Sequence, residues 1–465
     1  MAAEAATVAL RRLKEALPPE RLLLDPGERL AYGYDNSRRV AMPDAVVLAE
    51  SVAEVQLAVD LCRTHGLPLI ARGRGTNTTG ATVPIHGGLV LSLERMNRVL
   101  RISPGDRLLE CEAGALNGDV QREAGRHGLF WAPDPTSAAY STVGGNLACG
   151  AGGPRAVKYG TARDNVLGLR AIAGTGAAIR TGCYTTKGVV GYDLTRLLIG
   201  SEGTLAVITQ AALKLLPAPE TTRTLRAAYC DVEAAAAAVA RLMAQPETPA
   251  SLEFLDADAV QLAQAHRDCG LPPDCGALLL IDCDGSHAGI AAVVAAVSAA
   301  AAGEGLIDLR AARSEAEAED LWAARKALSP ALRKLAPKKV NEDVAVPVTR
   351  LPELIHGVGA LSRQHGIRIV CFGHAGNGNI HVNLLADPDD PEQMAVIEPC
   401  LHAVFRLVLS LDGTLSGEHG VGIDKRAFVA WEIDAPTLSM MQAVKRSFDP
   451  AGILNPGKAL PAAPT

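Results

Sequence analysis

The chain has 465 residues, more than one hydrophobic core can organise and enough for two or three domains. A net charge of -6, from 45 basic and 51 acidic residues, speaks against nucleic-acid binding as the main role. Such binding needs a basic surface, and no basic block of useful length occurs. The 10 cysteines include no CxxC pair, so neither a four-cysteine iron–sulfur cluster nor a zinc ribbon is indicated, and they read as reduced thiols of a cytosolic protein.

In chain order, MAAEAATVALRRLKEALPPE lacks an apolar core of signal-peptide length and predicts an amphipathic helix ended by Pro18 and Pro19. A strand, a helix from about Ser51 to His65 and a second strand then form a small βαβ-like unit. Ser51 with Glu54 makes a capping box there, and Gly66 closes the helix. From Leu89 to Leu216 short strand-like pieces (GLVLSL, RLLECEAG, NVLGLRAIAG, TLAVITQAALKLL) alternate with glycine-rich loops, which predicts α+β rather than a doubly wound sheet. LLPAPE, residues 215 to 220, marks a boundary. Beyond it the order strand–helix–strand–strand–helix–strand predicts a ferredoxin-like sandwich. The run AGIAAVVAAVSAAAA from Ala288 is weakly apolar and too short to span a bilayer, so it reads as an alanine-rich helix packed on a sheet. Helical texture from Glu315 gives way to strands DVAVPV, IRIVCFGHA and IHVNLL, with a helix from about 392 to 410 following.

Four glycine-rich stretches occupy the first half: ARGRGTNTTG, PTSAAYSTVGGNLACGAGGPRAVKYG, TTKGVVGYDLTRL and GSEGTLAVIT. Closely spaced glycines let backbone N–H groups approach an anion, so four such loops point to a long phosphate-bearing ligand; a turn-rich surface is the plainer reading. Neither GxxxxGK[ST] nor a helix-opening GxGxxG is present. In the second half, CFGHAGNGNIHVNLL places His374 and His381 seven positions apart. An odd spacing puts them on opposite faces of one strand. They converge only if Gly376, Asn377, Gly378 and Asn379 reverse the chain. Metal ligands, or polar residues flanking a tight loop, are both consistent with that pattern.

Taken together, RGRGTNTTG, DPTSAAYSTVGGNLACGAGG, KYGTARDNVLGL, GYDLTRLLIGSEGTLAVIT, GHAGNGNIHVNL, GTLSGEHGVGIDKR and DPAGILNPGK resemble the FAD-linked 2-hydroxy-acid oxidases and dehydrogenases of the vanillyl-alcohol-oxidase flavoprotein superfamily. Closest in kind are the flavin subunit of glycolate oxidase, D-lactate dehydrogenase and D-2-hydroxyglutarate dehydrogenase. The resemblance runs from about Asp35 to Lys458, with the motifs in family order. It implies an α+β chain: an N-terminal helical segment (1–35), a two-subdomain FAD-binding domain (36–217), a ferredoxin-like substrate or cap domain with the metal loop (218–415), and a C-terminal helical segment (416–465) that packs on the FAD domain and completes the active site.

The resemblance assigns FAD, held non-covalently, to Arg72, Gly73, Arg74, Gly75, Thr76 and Asn77 in the pyrophosphate loop. Pro135, Thr136, Ser137, Thr142, Gly144, Gly145 and Asn146 match the second loop, continued by Gly152, Gly153 and Tyr159. Glu202, Gly203 and Ile208 match the adenine- and ribose-side strands, with Asn455 a further cofactor residue. Arg74 replaces the family's usual middle glycine, either to contact a phosphate or to point outward.

His374 and His381 fit the family's metal pair, with Glu418 as third ligand. Two neutral imidazoles and a carboxylate suit zinc, and also manganese or iron, as a Lewis acid for a substrate hydroxyl. His419 is the candidate general base, with orientation of the substrate as its lesser role. Asn379 matches the family asparagine near the substrate, and Arg325 the arginine that clamps its carboxylate. Lys339, Asn341 and Asp343 fall where relatives complete the pocket. Asn341 stands where D-2-hydroxyglutarate dehydrogenases carry lysine, which favours D-lactate or glycolate over a dicarboxylate, with Lys338 or Lys339 as an alternative counter-charge. The implied partners are a small 2-hydroxy acid and an external electron acceptor: a quinone, a cytochrome, oxygen, electron-transfer flavoprotein or an iron–sulfur subunit. A homodimer and a cytoplasmic chain with peripheral membrane contact complete the expectation. The competing readings are D-2-hydroxyglutarate dehydrogenase, a catalytically silent flavin subunit of an electron-transfer complex, and the ether-lipid synthase branch.

Overall fold

The computed structural model describes residues 2–266, 268–336 and 338–462. They divide into two units: Met1–Gly153 with Gly160–Ala218 and Glu418–Thr465, and Pro154–Tyr159 with Pro219–Gly417.

In the first unit, the Ser51 hydroxyl accepts the Glu54 N–H at the start of the helix Val52–His65, and the Glu54 carboxylate reaches back to the N–H of Glu50. Gly66, at φ 64°, ends the helix in a left-handed turn that a side chain would strain. The flanking strands Ala45–Leu48 and Leu69–Arg72 do not pair with each other, a departure from the simplest βαβ reading. Leu89–Ser92 lies between them, parallel to both. The reason is burial: all four residues of Ala45–Leu48 and of Leu89–Ser92 are buried, as suits inner strands of a parallel sheet. A second, antiparallel sheet has the order Val99–Ser103, Leu108–Glu112, Ala206–Lys214, Val166–Ala173, Ala178–Gly182. One apolar core joins the two sheets, the N-terminal helix Ala2–Ala16 through Leu13, and the distant Ile453 and Leu454. Leu69 N–H donates to Ile453 O (2.8 Å), and Asn455 N–H to Leu69 O (2.8 Å), so the chain's last segment belongs to this core.

The second unit is built on one antiparallel seven-stranded sheet. Four strands, Leu306–Ala311, Thr221–Tyr229, Ala277–Gly285 and Ser251–Asp256 in spatial order, with helices Val232–Ala244 and Ile290–Ala301, reproduce the ferredoxin-like arrangement. Arg368–His374, Asn379–Ala386 and Lys338–Ala345 extend the sheet beyond Ser251–Asp256. The last of these begins five residues before the DVAVPV stretch, because register pairing runs unbroken from Lys338 with Ala386 to Ala345 with Asn379. Helices Ala257–His266 and Ala323–Leu335 cover one sheet face through Val260, Ala263, Ala324 and Leu328. The helix Pro391–Ser410 is long and apolar enough to cross a membrane by length and composition. It buries Ile397, Cys400, Val404, Phe405 and Val408, and packs on the helix Leu351–His365.

Candidate active site

Register decides where the two histidines go. Cross-strand partners in an antiparallel sheet point to the same side. Glu253 lies opposite His374, Phe372 opposite His381, and Asp343 also opposite His381. The 3-10 turn Ala375–Asn377 and Gly378, at φ 68°, reverse the chain so that both imidazoles reach one face. A Cβ at Gly378 would stand 1.8 Å from Val346 O, so the turn admits no side chain. The two rings are 5.3 Å apart at 85°, edge to face.

Buried carboxylates back both imidazoles. His374 Nδ1 is hydrogen-bonded to Glu253, which is 1 % exposed, and Arg325 Nε donates to the other Glu253 oxygen at 3.1 Å. Burial pushes the Glu253 carboxyl up, but His374 and Arg325 outweigh it and bring it down to about 2. The Arg325 guanidinium also sits 4.7 Å over the Phe372 ring. Asp343 Oδ1 is 3.7 Å from His381 Nδ1 and accepts the Asn379 amide at 2.6 Å, and Asn379 also donates to Val344 O (2.9 Å). Ser416 Oγ donates to Asp343 Oδ2 (3.3 Å). The Glu253 hydrogen bond fixes the His374 tautomer, the arrangement found around metal-binding imidazoles, while Asp343 stands as a buried negative charge 3.7 Å from His381 Nδ1. The donor set on this face therefore fits a divalent metal.

Two residues outside the predicted site set, Glu253 and Asn383, also line this face. Glu253 lies in the strand SLEFLD, where an acid set among apolar residues must find a partner if it is buried; that need is the one local signal. Asn383, fully buried two residues beyond His381, donates to Val370 O (3.1 Å) and His381 O (3.0 Å). That fixes its side-chain oxygen, which has no partner among the described residues; the same holds for Asn341 directly across the sheet. Lys339, on the same strand, is exposed.

The first unit brings two of the predicted FAD loops together. A Cβ at Gly73 would lie 2.2 Å from Thr142 Oγ1, so the pyrophosphate loop presses against the second loop exactly where a side chain is missing. Thr142 caps the helix Val143–Cys149 by accepting the Gly145 N–H (3.2 Å), and Gly144 packs on Ala113 where a Cβ would come within 2.6 Å. Gly75, at φ 64°, lies against the Arg72 guanidinium. The buried Arg72 donates to Thr82 Oγ1 (3.0 Å), and burial lowers its pKa. Arg74 turns to Glu94 (2.9 Å) and is half exposed. Asn36 donates to Thr76 O (3.3 Å), and Asn146 to Asn117 (3.1 Å). Ala138 donates to Pro135 O and Ser141 to Ser137 O, so Thr136 sits in a hydrogen-bonded turn. Gly152 and Gly153 end that segment, Gly203 turns at φ 69°, and Ile208 is buried in its strand. Tyr159 falls in the second unit and donates to Asp284 (2.6 Å). In the stretch TTKGVVGYDLTRL the tip stands in solvent, with Val189, Val190 and Tyr192 at 96, 102 and 98 % exposed, while Thr195 is buried on Thr181 (2.8 Å). The close glycine contacts between loops 71–77 and 135–146 make a cradle with few side chains, which suits the close approach of a dinucleotide's phosphates.

In the same unit Glu418 and His419 lie on a turn. Gly153 N–H donates to Glu418 Oε2 (2.7 Å), and Asn77 Nδ2 to His419 O (3.1 Å).

Paired glycine loops of this kind suit a dinucleotide cofactor, and the matches that follow make the class a flavin-dependent oxidoreductase. Residues 43–182 match the family model for the FAD binding domain, and residues 218–459 the model for the C-terminal domain of FAD linked oxidases. The chain belongs to the FAD-linked oxidases. It is 38 % identical to the glycolate oxidase subunit GlcD of Bacillus subtilis (strain 168), covering 92 % of each chain. It is 32 % identical to a D-lactate dehydrogenase of Anaerostipes hadrus, covering 97 % of this chain and 96 % of that one. Among solved structures, p-cresol methylhydroxylase superposes with a TM-score of 0.79 at 15 % identity, covering 98 % of this chain and 97 % of the other, a likeness of fold.

Proposed function

We propose that this chain oxidises a D-2-hydroxy acid, D-lactate or glycolate foremost, to the 2-oxo acid. The observation that carries the reading is the sharing of Glu253 by His374 and Arg325: one buried carboxylate sets a metal-type imidazole beside a guanidinium of the kind that grips a substrate carboxylate. The relatives' names, glycolate oxidase subunit and D-lactate dehydrogenase, support the same substrate class.

FAD, held by the loops around Gly73 and Thr142, supplies the hydride acceptor. A divalent metal, zinc foremost and manganese or iron as alternatives, supplies Lewis acidity at the 2-hydroxyl, with His374, His381 and Glu418 as its ligands. Arg325 binds the carboxylate and fixes which C2 face is offered. His419 takes the hydroxyl proton onto its imidazole as C2–H breaks, the general-base role that imidazole side chains commonly fill. Asn341 and Asn383 offer amide oxygens to a bound hydroxyl or water. An amide at 341, rather than an ammonium, gives no counter-charge to a second carboxylate. Electrons then pass to an external acceptor, for which a quinone, a cytochrome, oxygen, electron-transfer flavoprotein or an iron–sulfur subunit qualifies. A cytoplasmic setting with peripheral membrane contact suits this exchange.

Anaerobic mixing of FAD- and zinc-loaded protein with D- and L-2-hydroxy acids, followed by flavin absorbance, tests the proposal. Bleaching by D-lactate or glycolate is expected, slowed by chelator and restored by metal. Strong preference for D-2-hydroxyglutarate assigns the chain to the dicarboxylate enzymes instead, and absence of bleaching by every acid identifies a silent subunit.

A further inference from the structure

We infer that Glu202 is a positioning residue for the turn Glu418–Gly422, not a contact of the cofactor; the inference rests on the roles proposed above for Glu418 and His419. Glu202 is 5 % exposed and adopts φ 52°, a left-handed conformation uncommon for a side chain of this size. A buried carboxylate needs compensation. Glu202 finds it on the far segment of the chain, accepting the N–H of Val421 and that of Gly422 (2.8 Å), with Lys458 and Lys425 as nearby positive charges.

The fit leaves no slack. Gly420 lies at φ 86°, and a Cβ there would be 2.4 Å from Glu202 Oε1. Gly422 lies at φ 52°, and its Cβ would be 2.1 Å from Thr79 O. These glycines let the turn settle onto Glu202 and the loop after Asn77. Glu202 thereby holds the two residues that follow Gly420, while Asn77 holds the His419 carbonyl and Gly153 one oxygen of Glu418. Asn77 is itself set by accepting the N–H groups of Thr79 (2.9 Å) and Ala81 (3.1 Å). On the other side Asn455 donates to Glu202 O (2.7 Å) and Ala81 O (2.8 Å), and Lys458 donates to Asn455 (2.8 Å). The carboxylate is thus spent on the turn, and its backbone on the frame around it.

Glu202→Gln and Glu202→Asp in the full-length FAD-loaded protein test this. Glutamine sets an N–H against one of the two backbone donors, whereas aspartate keeps the charge. For Glu202→Gln the expectation is unchanged FAD content, zinc affinity weakened about tenfold in competition with a chelating dye, and saturating flavin reduction by D-lactate slowed about tenfold at unchanged KM. Glu202→Asp should recover part of both losses. Loss of FAD in step with activity overturns the inference in favour of a cofactor contact. A lower Tm with zinc affinity and reduction rate intact overturns it in favour of a purely structural acid. His419→Ala separates the two proposals: wild-type reduction in that variant removes the base role yet leaves the zinc effect of Glu202→Gln standing. If both Glu202 variants fail to fold, amide exchange in the unmodified protein decides. Val421 and Gly422 should exchange at least about a hundredfold slower than in an unstructured peptide, and unprotected amides refute the inference.

Discussion

Arg325 and His374 are joined through the two oxygens of Glu253, Arg325 Nε at 3.1 Å from one and His374 Nδ1 bonded to the other. A group that binds anions and a group that binds cations are thus held in fixed relation by one side chain. Glu253→Gln keeps the shape but loses the charge both partners face. Zinc affinity is expected to fall 10- to 100-fold, the usual cost of disturbing a carboxylate behind a ligand histidine. Competition with a chelating dye measures it, and unchanged affinity would show that His374 needs no such support.

Arg325 stacks over Phe372 as well as pairing with Glu253. Lysine reproduces the charge but neither the planar fork nor the stacking. Arg325→Lys should therefore lower kcat/KM for D-lactate by about a hundredfold, close to 2.7 kcal/mol of transition-state binding, mostly through KM. A neutral analogue such as lactamide should show little difference between the two proteins. Equal losses for both compounds would refute a carboxylate-binding role.

At the other unit, Gly73→Ala places a methyl group 2.2 Å from Thr142 Oγ1. The loops must separate, and FAD content of the purified protein should drop to less than about half. Adding Thr142→Ala removes the colliding hydroxyl, so the double variant should retain more FAD than Gly73→Ala alone, a non-additivity expected of residues in contact. Strict additivity would place the fault elsewhere in the loop.

Lys458 is buried, and burial brings its pKa down to about 8. An unfolded lysine titrates near 10.4, so between pH 8 and 10 the unfolded chain holds a proton that the native state has released. Stability from this residue therefore rises with pH across that window and carries its full penalty below it. The difference in Tm between Lys458→Met and the unmodified protein should shift toward the unmodified protein from pH 8 to 10. A flat difference would show that the amine is not desolvated in the native state.

Some of this was legible in the residues and some was not. The Gly-Asn turn between His374 and His381 announced a reversal, and alternation along the strands then fixed the shared face. The order of elements after LLPAPE likewise carried the ferredoxin-like arrangement, because hydrophobic period and turn chemistry are local properties. The partners of Glu253 were not legible, because they depend on which strand lies beside SLEFLD, and His374 is 121 positions away. Composition could not separate the glycine loop at Gly73, which closes on Thr142, from the one at Val189, which stands in solvent. Both are rich in glycine, and only the partner surface differs. Arg74 illustrates the same limit: its choice of Glu94 depended on a neighbour that no local pattern specifies.

The bridge between Leu69 and the Ile453–Asn455 segment has a consequence for synthesis. Asn455 reaches a carbonyl 374 positions earlier in the chain, and the whole of Pro219–Gly417 is translated in between. At roughly 5–20 residues per second, the ribosome leaves the first unit without its closing strand-like segment for ten seconds or more, the time in which the second unit is made. The inserted unit therefore emerges whole, and the one that encloses it in sequence must wait with part of its core open to chaperones.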